Sequence, residues 1–297
     1  MKEEIYNYLY IIPLTAVLIC IFYLMKKYKN SIKSIYGNKR LILGLVKNDF
    51  KVKYAGSYLG VIWAFVQPVI TILLYWIVFE YGLRVVTTDT KIPFAIWLIT
   101  GMIPWFFIAD AVSNGSNGFY EYNYLVKKVV FQISIIPFIK VLSSLLVHFV
   151  FMVFLMFIYM LYNSIGTDIS FPTIYLLQLP YYTICAIVLS LGIVYITSSI
   201  TVFFKDLAQF ITIMLQIGMW ATPVLWNQSI VPDEYKWIIY ANPANYIVEG
   251  YRSSMAGGVW FWELPYQSLW FWACAVAVFA AGMVVFKRLK PHFADVL

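Results

Sequence analysis

Long apolar stretches alternate with short polar ones along most of the chain. A helix that crosses the hydrocarbon core of a bilayer needs about 20 mostly apolar residues. Seven stretches reach that length: residues 5–25, 59–83, 93–113, 137–162, 174–202, 208–227 and 265–286. Because transmembrane strands are only about half as long, the pattern predicts an all-α, polytopic membrane protein.

The first apolar stretch, residues 5–25, differs from a secretory signal in its flanking charges. Glu3 and Glu4 precede it, and Lys26, Lys27 and Lys29 follow it. A signal peptide carries its positive charges first and ends in small residues at a cleavage site. Residues 1–30 are therefore predicted to form an uncleaved membrane anchor whose N-terminus lies outside.

Residues 31–57 form a segment of a different kind. On a helical wheel one side is apolar and the other is basic. The apolar side holds Leu41, Leu45, Val46, Phe50 and Val52, and the basic side holds Arg40, Lys47 and Lys51, whereas Asp49 and Lys53 interrupt the apolar side. This pattern favours a helix lying in the cytoplasmic membrane interface, with a solvated linker as the alternative.

Residues 58–297 are predicted to form the transmembrane domain, and two of its regions do not span. Residues 114–134 are polar and are expected to lie in the cytoplasm. Residues 228–262 are expected outside, yet they are rich in Tyr and Trp and are interrupted by Pro232, Pro243 and Gly257–Gly258. We expect two short helices there, re-entering the outer leaflet as a hairpin.

The composition and the distribution of charge support this topology. Of the residues, 62% are hydrophobic and 12% are charged, against about 25% charged in soluble domains. In the predicted topology sixteen of the 21 Lys and Arg residues lie inside and five outside, as the positive-inside rule requires. The same loops account for the net charge of +7 without nucleic acid, and the C-terminus is predicted to be cytoplasmic.

Motifs that would indicate catalysis are absent from the sequence. There is no G-x-x-x-x-G-K-[ST] phosphate loop, no H-E-x-x-H and no Ser/His/Asp set. Cys20, Cys185 and Cys274 lie in separate apolar runs without the spacing of metal ligands or disulfides. We therefore predict that this chain is not an enzyme and binds no cofactor or metal of its own.

Ionisable side chains inside a membrane usually mark function. Glu80, Asp110 and Lys140 lie near predicted helix ends, where long side chains are expected to reach the interface. Glu249 and Arg252 are three residues apart and are predicted to pair on one helix face. His148 lies in an apolar run, and we interpret it as a packed or hydrogen-bonded residue rather than a proton relay.

Four ordered motifs resemble the polysaccharide-export permeases of the ABC-2 type, which serve O-antigen, capsule and teichoic acid. They are LVKNDFKVKYAGSYLGVIWAFVQP at 45–68, YLVKKVVF at 124–131, VFFKDLAQFITIMLQIGMWATP at 202–223 and VPDEYKWIIYANPANYIVEGYR at 231–252. Gln132 stands where the family commonly has proline after the second motif. The resemblance covers residues 40–297, so the helix at 5–25 is additional to a six-helix domain.

The resemblance implies an assembly and a location. The expected partners are a second copy of this chain, two copies of a separate ABC ATPase that binds ATP and Mg, membrane lipid and a lipid-linked glycan. No nucleic acid is expected. The expected location is the bacterial cytoplasmic (inner) membrane, where the complex would export the glycan.

The resemblance also implies roles for three groups of residues. Coupling to the ATPase falls to Tyr120, Glu121, Tyr124, Leu125, Lys127, Lys128 and Phe131. Arg40, Lys47, Lys51 and Lys53 would attract the phosphates of the lipid head. Trp220, Trp237, Asn242, Pro243, Tyr246, Glu249 and Arg252 would line the channel or its outer gate, where aromatic rings can stack on sugars.

Three other functions stay open at the level of sequence. An ABC-2 permease for a small hydrophobic substrate shares the fold, although the interface helix and the aromatic hairpin disfavour it. A membrane-bound enzyme that modifies glycans or lipids would need loop carboxylates, and the predicted outer loops offer few. A passive scramblase is the third alternative, which an adjacent ATPase gene would disfavour.

Overall fold

The structure is a computed structural model, and it describes residues 37, 39–54, 58–84, 92–127, 132–164, 174–256 and 258–297. Throughout these residues the regular structure is helical, with no strand, as the apolar pattern predicts. The predicted anchor helix at 5–25 and the domain boundary at residue 30 lie outside the described residues.

The helices of the described residues are numbered here in chain order. They are α1 (Lys39–Lys53), α2 (Trp63–Trp76), α3 (Phe94–Ser116), α4 (Gly118–Glu121), α5 (Asn123–Val126), α6 (Ile136–Ser164), α7 (Leu179–Thr201), α8 (Leu207–Ala221), α9 (Lys236–Ala241), α10 (Pro243–Ala256), α11 (Pro265–Leu289) and α12 (Phe293–Val296). A 3₁₀ turn at Gly60–Ile62 leads into α2, and a π-helical turn at Ile77–Gly82 continues it.

Five helical stretches in the described part are long and apolar enough to cross a membrane. They are Gly60–Gly82, Phe94–Ser116, Ile133–Ser164, Ile174–Thr201 and Pro265–Val296. These stretches coincide with five of the predicted spans. The chain is a multi-pass membrane protein.

The predicted span 208–227 extends beyond the observed helix α8 at its C-terminal end. Helix α8 stops at Ala221 because Thr222 adopts an extended conformation and Pro223 follows it. Its 15 residues extend about 22 Å, less than the hydrocarbon core of about 30 Å. Residues 222–227 continue as turns rather than as helix.

The core forms around α3, the most buried of the five long stretches, while Gly60–Gly82 is the least buried. Helices α7 and α11 approach closely at two glycines. A Cβ on Gly282 would lie 2.6 Å from the carbonyl oxygen of Gly192. Small residues at such crossings let membrane helices pack backbone to backbone, so these two glycines set the distance between α7 and α11.

Helix α1 packs against α6 through Ile42, Val46 and Asp49. For residues 39–53, the alternative of a solvated linker is therefore wrong. The buried side of α1 does not fully coincide with the predicted apolar side, since Leu41 and Val52 are exposed. Gly60 has a φ of +52°, a left-handed conformation that glycine adopts freely, and it turns the chain into α2.

The region predicted as an outer hairpin contains the two short helices expected, α9 and α10. They are separated at Asn242 and Pro243. The Asn242 side chain accepts a hydrogen bond from the backbone N–H of Ala244 at 3.0 Å, and Pro243 is the first residue of α10, a position where proline is favoured. Re-entry of this pair into the membrane stays a prediction.

The bundle has two ends. We call one the α1 end: it holds α1, α4, α5, α12, the start of α6 and the last turn of α7. The opposite α10 end holds α9, α10, the first turns of α3, α7 and α11, and the last turns of α6.

Candidate functional site

The described part of the segment predicted to contact an ATPase lies at the α1 end and contains two one-turn helices, α4 and α5. Phe119 anchors it by packing against Phe286 and Phe293. The Tyr120 hydroxyl donates to the carbonyl oxygen of Val202 at 2.9 Å. The segment is therefore held on the last turn of α7 and on the C-terminal helices.

The side chains of this segment divide into a buried and an exposed set. Leu125 is partly buried and packs against the core, whereas Glu121 and Lys127 are exposed and Tyr124 is 50% exposed. Lys128 and Phe131 lie outside the described residues. Tyr124 and Lys127 are thus available to a partner, and Leu125 supports them from beneath.

Lys140 forms a charged cluster that joins three elements. Its ammonium group lies 2.6 Å from Asp49 Oδ1 on α1 and also pairs with the Glu121 carboxylate on α4. The Tyr122 hydroxyl donates to the same Asp49 oxygen at 2.9 Å. Burial and, next, the Asp49 charge hold the pKa of Tyr122 above its ordinary value, so Tyr122 stays a neutral donor.

Our prediction that Lys140 reaches the membrane interface is wrong, because the side chain is only 4% exposed. Its neighbours on α1 and α4 supply the counter-charges that an isolated lysine would seek at the surface. Tyr122 was not identified from the sequence. Asp49, Glu121 and Lys140 were each singled out from the sequence, but no sequence signal placed them together.

Lys53 was predicted to be a free cation for the lipid head, but it is paired. Its ammonium group donates to Asp110 Oδ1 at 2.7 Å and to Oδ2 at 2.8 Å, and the Asn114 side-chain amide donates to Asp110 Oδ1 at 2.7 Å. Asp110 therefore forms a salt bridge between α1 and α3, whereas we had predicted that its side chain reaches the membrane interface. The other three predicted cations, Arg40, Lys47 and Lys51, are exposed on α1.

A cavity of about 430 Å³ lies beside this pair, between α2 and α3. Lys53, Tyr54, Gln67, Thr71 and Asp110 supply its polar groups, and Trp63, Ala64, Pro68, Phe106 and Ala109 supply its apolar wall. Its volume is within the range of small-ligand sites, about 300–1,000 Å³. A charged pair thus borders an otherwise largely apolar cavity.

Arg252 is the centre of the α10 end. Its Nη1 donates to the carbonyl oxygen of Pro223 at 2.7 Å and to Glu249 Oε1 at 2.6 Å, and its Nη2 donates to Val224 at 2.7 Å. The guanidinium lies 3.6 Å from the centre of the Trp97 ring. The predicted pairing of Glu249 with Arg252 is confirmed, and Arg252 also fixes the turn after α8 to α10 and α3.

The predicted gate residues fall into two groups. Trp220 and Trp237 expose more than half of their surface, as a stacking role requires. Tyr246 is only 6% exposed, and its hydroxyl bonds with Tyr181 and Ser268. The interpretation of Tyr246 as an open stacking surface is therefore wrong in this conformation, because α7 and α11 enclose most of the ring.

Asn242 and Pro243 lie at the break between α9 and α10. The Asn242 amide also donates to the Thr222 hydroxyl at 2.7 Å, which ties this break to the end of α8. His148 contacts the Tyr251 hydroxyl at 2.9 Å. Its interpretation as a hydrogen-bonded packing residue is confirmed.

Comparison with known proteins extends this description. The model of the ABC-2 type transporter family matches residues 40–256. The O-antigen export system permease protein RfbA of Klebsiella pneumoniae is 26% identical over 258 residues, which are 86% of this chain and 95% of that protein. RfbA of Myxococcus xanthus is 28% identical over 206 residues, 68% of this chain and 74% of that protein. The polysialic acid transport protein KpsM of Escherichia coli is 24% identical over 225 residues, 74% of this chain and 83% of that protein.

Proposed function

The chain belongs to the ABC-2 type transporter family, and from this premise we propose that it is the membrane subunit of an exporter that carries a lipid-linked polysaccharide across the bacterial cytoplasmic membrane. The observation that carries this proposal is the similarity to an O-antigen export permease over 86% of the chain. Membership of the family implies pairing with an ABC ATPase. The candidate substrates of this exporter are O-antigen, capsule and teichoic acid.

The proposed complex contains two copies of this chain and two copies of the ATPase, which binds ATP and Mg. The α1 end faces the cytoplasm, and the C-terminus lies there, as the positive-inside rule favours. The exposed Tyr124 and Lys127 support contact between the α4–α5 segment and the ATPase. Closure of the two ATPases on ATP would then move this segment and open a path between the two permeases.

Replacing Tyr124 by Asp tests the ATPase contact. An aromatic side chain at the centre of an interface commonly contributes about 2 kcal/mol or more, so we expect about 30-fold weaker association. The measurement is co-purification with the ATPase encoded next to this gene, followed by ATP hydrolysis with lipid-linked glycan. Tyr235→Asp, the same change at an exposed tyrosine of the α10 end, should leave association intact.

A stable complex of wild-type chains that hydrolyses ATP faster with glycan would support the exporter. If the permease purifies without an ATPase, the exporter proposal fails, and the scramblase or enzyme becomes the better explanation. If the wild-type complex forms and Tyr124→Asp binds and stimulates normally, only the role of α4–α5 is wrong.

Replacing both Lys47 and Lys51 by Glu tests recruitment of the lipid head. Both cations are exposed on α1, and each basic group near a membrane surface contributes about 1 kcal/mol of attraction to anionic groups. We expect the glycan concentration for half-maximal ATPase stimulation to rise at least about tenfold at low salt. High salt should reduce the difference between variant and wild type, because exposed charges are screened.

Lys290→Glu is the matched control, because Lys290 is an exposed lysine near the C-terminus. An unchanged half-maximal concentration in the double variant would exclude these two cations from recruitment. A change of equal size in Lys290→Glu would mean that only the overall charge of the α1 end matters.

A further inference from the structure

A second, smaller cavity of about 220 Å³ lies at the α10 end. It is enclosed by α10, the turn at Gln228–Ile230, and the first turns of α7 and α11. Its wall includes Tyr182, Gln228, Tyr240, Asn245, Glu249 and Ser253. Unlike the cavity beside Lys53, it combines tyrosine rings with several amide groups.

One face of α10 supplies much of the polar wall. Asn245, Glu249 and Ser253 follow one another at intervals of four residues, so they lie on the same side of the helix. Gly250 lets the cavity form next to the Tyr182 ring, because a Cβ at this position would lie 2.1 Å from the ring. The polar face of α10 is therefore turned inward, toward aromatic side chains.

Two amide oxygens in this wall have no hydrogen-bond partner among the described residues. They are Asn245 Oδ1 and Gln228 Oε1, and both atoms are buried. Asn245 as a whole is 4% exposed. Leaving a buried acceptor unpaired costs about 1–3 kcal/mol, so a ligand that donates hydrogen bonds to these oxygens is favoured over one that cannot.

The charge of the wall argues against an ion. Among the described residues that line the cavity, Glu249 is the one carboxylate, and its Oε1 already accepts from Arg252 at 2.6 Å. A divalent cation prefers six or more oxygens with several carboxylates. A phosphate would meet the Glu249 charge and the two acceptor oxygens, and an acyl chain would leave those acceptors unpaired.

A sugar meets these requirements. Its hydroxyl groups both donate and accept, and an apolar face of a pyranose ring can stack on an aromatic ring such as Tyr240, which is 42% exposed. The volume of about 220 Å³ equals that of about seven water molecules, which is close to the size of one pyranose residue. The cavity therefore accommodates one sugar residue of a longer glycan.

We infer that this cavity binds one pyranose residue of the exported glycan at the α10 end, with Asn245 and Gln228 accepting hydrogen bonds from its hydroxyl groups. The inference rests on the proposed function and adds a sugar subsite to it. The subsite holds the polymer where it leaves the bundle, away from the cations of α1.

The test uses the permease–ATPase complex in lipid nanodiscs and the host's own surface polysaccharide, freed from its lipid by mild acid. Saturation-transfer NMR reports contact between protein and sugar protons. Asn245→Leu and Gln228→Leu each remove one acceptor, and Gln228 lies in a short, partly buried turn where the change leaves the helices in place. The matched control is Asn163→Leu at an exposed asparagine near the end of α6.

We expect each cavity variant to lower the saturation-transfer signal at least about fivefold and to raise the glycan concentration for half-maximal ATPase stimulation about tenfold. Asn163→Leu should match the wild type. If both cavity variants match the wild type, or if the wild type gives no signal, the cavity holds water only and the inference is wrong.

Deletion of the gene distinguishes failure of the sugar-subsite inference from failure of the proposed exporter function. Loss of the polysaccharide from the surface of the deletion strain, together with normal NMR signals in both cavity variants, would leave the exporter standing and remove the subsite. Unchanged surface polysaccharide in the deletion strain would remove the exporter itself, and with it the reason for a sugar subsite.

Discussion

Lys140→Met is expected to destabilise the permease by about 3–5 kcal/mol and to uncouple it from its ATPase. Removal of one partner from a buried ion pair leaves an uncompensated charge, here the carboxylate of Asp49, whose side chain is 7% exposed. Glu121 is less affected, since half of its side chain is exposed. The melting temperature of the purified permease should fall by about 10 °C.

The uncoupling follows from the position of Lys140 between three elements. Asp49 is on α1, Glu121 ends α4, and Lys140 is in the second turn of α6. If the ATPase moves the α4–α5 segment as proposed, this cluster carries the movement to α1 and α6. Without Lys140 the segment would move separately from both helices.

A double variant separates stability from coupling. In Asp49→Asn with Lys140→Met both buried charges are gone, and replacing a buried pair as a whole is often close to neutral. We expect it to regain most of the lost melting temperature while glycan-stimulated ATP hydrolysis stays at least about tenfold reduced. Lys290→Met, at an exposed lysine near the C-terminus that has no part in the proposed ATPase contact, is the control for removal of a charge from the α1 end.

Two results would contradict this account. A Lys140→Met permease that melts within about 2 °C of the wild type would mean that the cluster adds nothing to stability. A double variant that recovers ATPase stimulation together with its melting temperature would reduce the cluster to a structural role.

The helices were predictable because their signal is local. The length of each apolar run and the turn residues between runs depend only on neighbouring positions, so five of the seven predicted spans and the break at Asn242–Pro243 were found. Helix α8 was overextended because residues 222–227 are apolar enough to continue a span, while Pro223 ends it. Apolar composition alone does not distinguish a helix that continues through an apolar run from one that ends within it.

The contacts between distant segments were not predictable. On the helical wheel, Asp49 and Lys53 interrupted the apolar side of α1. The wheel represents a single helix, so it could not show that the partners of these two residues lie on other helices. Lys140 is 91 positions from Asp49 in the sequence, and nothing local links them. Tyr246 was predicted to be exposed for the same reason, since its burial depends on how α7 and α11 close over α10.

Arg252→Lys is the second substitution with a large expected effect. The guanidinium binds three acceptors at once, the carbonyl oxygens of Pro223 and Val224 and the Glu249 carboxylate, at 2.6–2.7 Å. A lysine keeps the charge but cannot reproduce the planar fork or its stacking on an aromatic ring. At least one buried carbonyl would lose its donor, at a cost of about 1–3 kcal/mol.

Local opening is the expected consequence, because Arg252 joins the turn after α8 to α10. Leu225 directly follows this turn and is fully buried, so a Leu225→Cys thiol in a background without the natural cysteines reports its exposure. We expect a maleimide to label this thiol at least about tenfold faster in Arg252→Lys than in the parent, in nanodiscs. Arg252→Met should label faster still, because Glu249 then also loses its counter-charge.

The matched control is Arg288→Lys, the same substitution at an exposed arginine near the end of α11, which should label like the parent. If Arg252→Lys also labels like the parent and melts at the same temperature, the charge alone holds the turn, and the fork geometry is unimportant. If labelling accelerates but glycan export is unchanged, Arg252 stabilises the α10 end without taking part in its proposed gate. Faster labelling together with loss of export would mean that the turn and α10 move together when the exit path opens. Arg252 would be the link between them, because no other described side chain donates to both carbonyl oxygens of the turn.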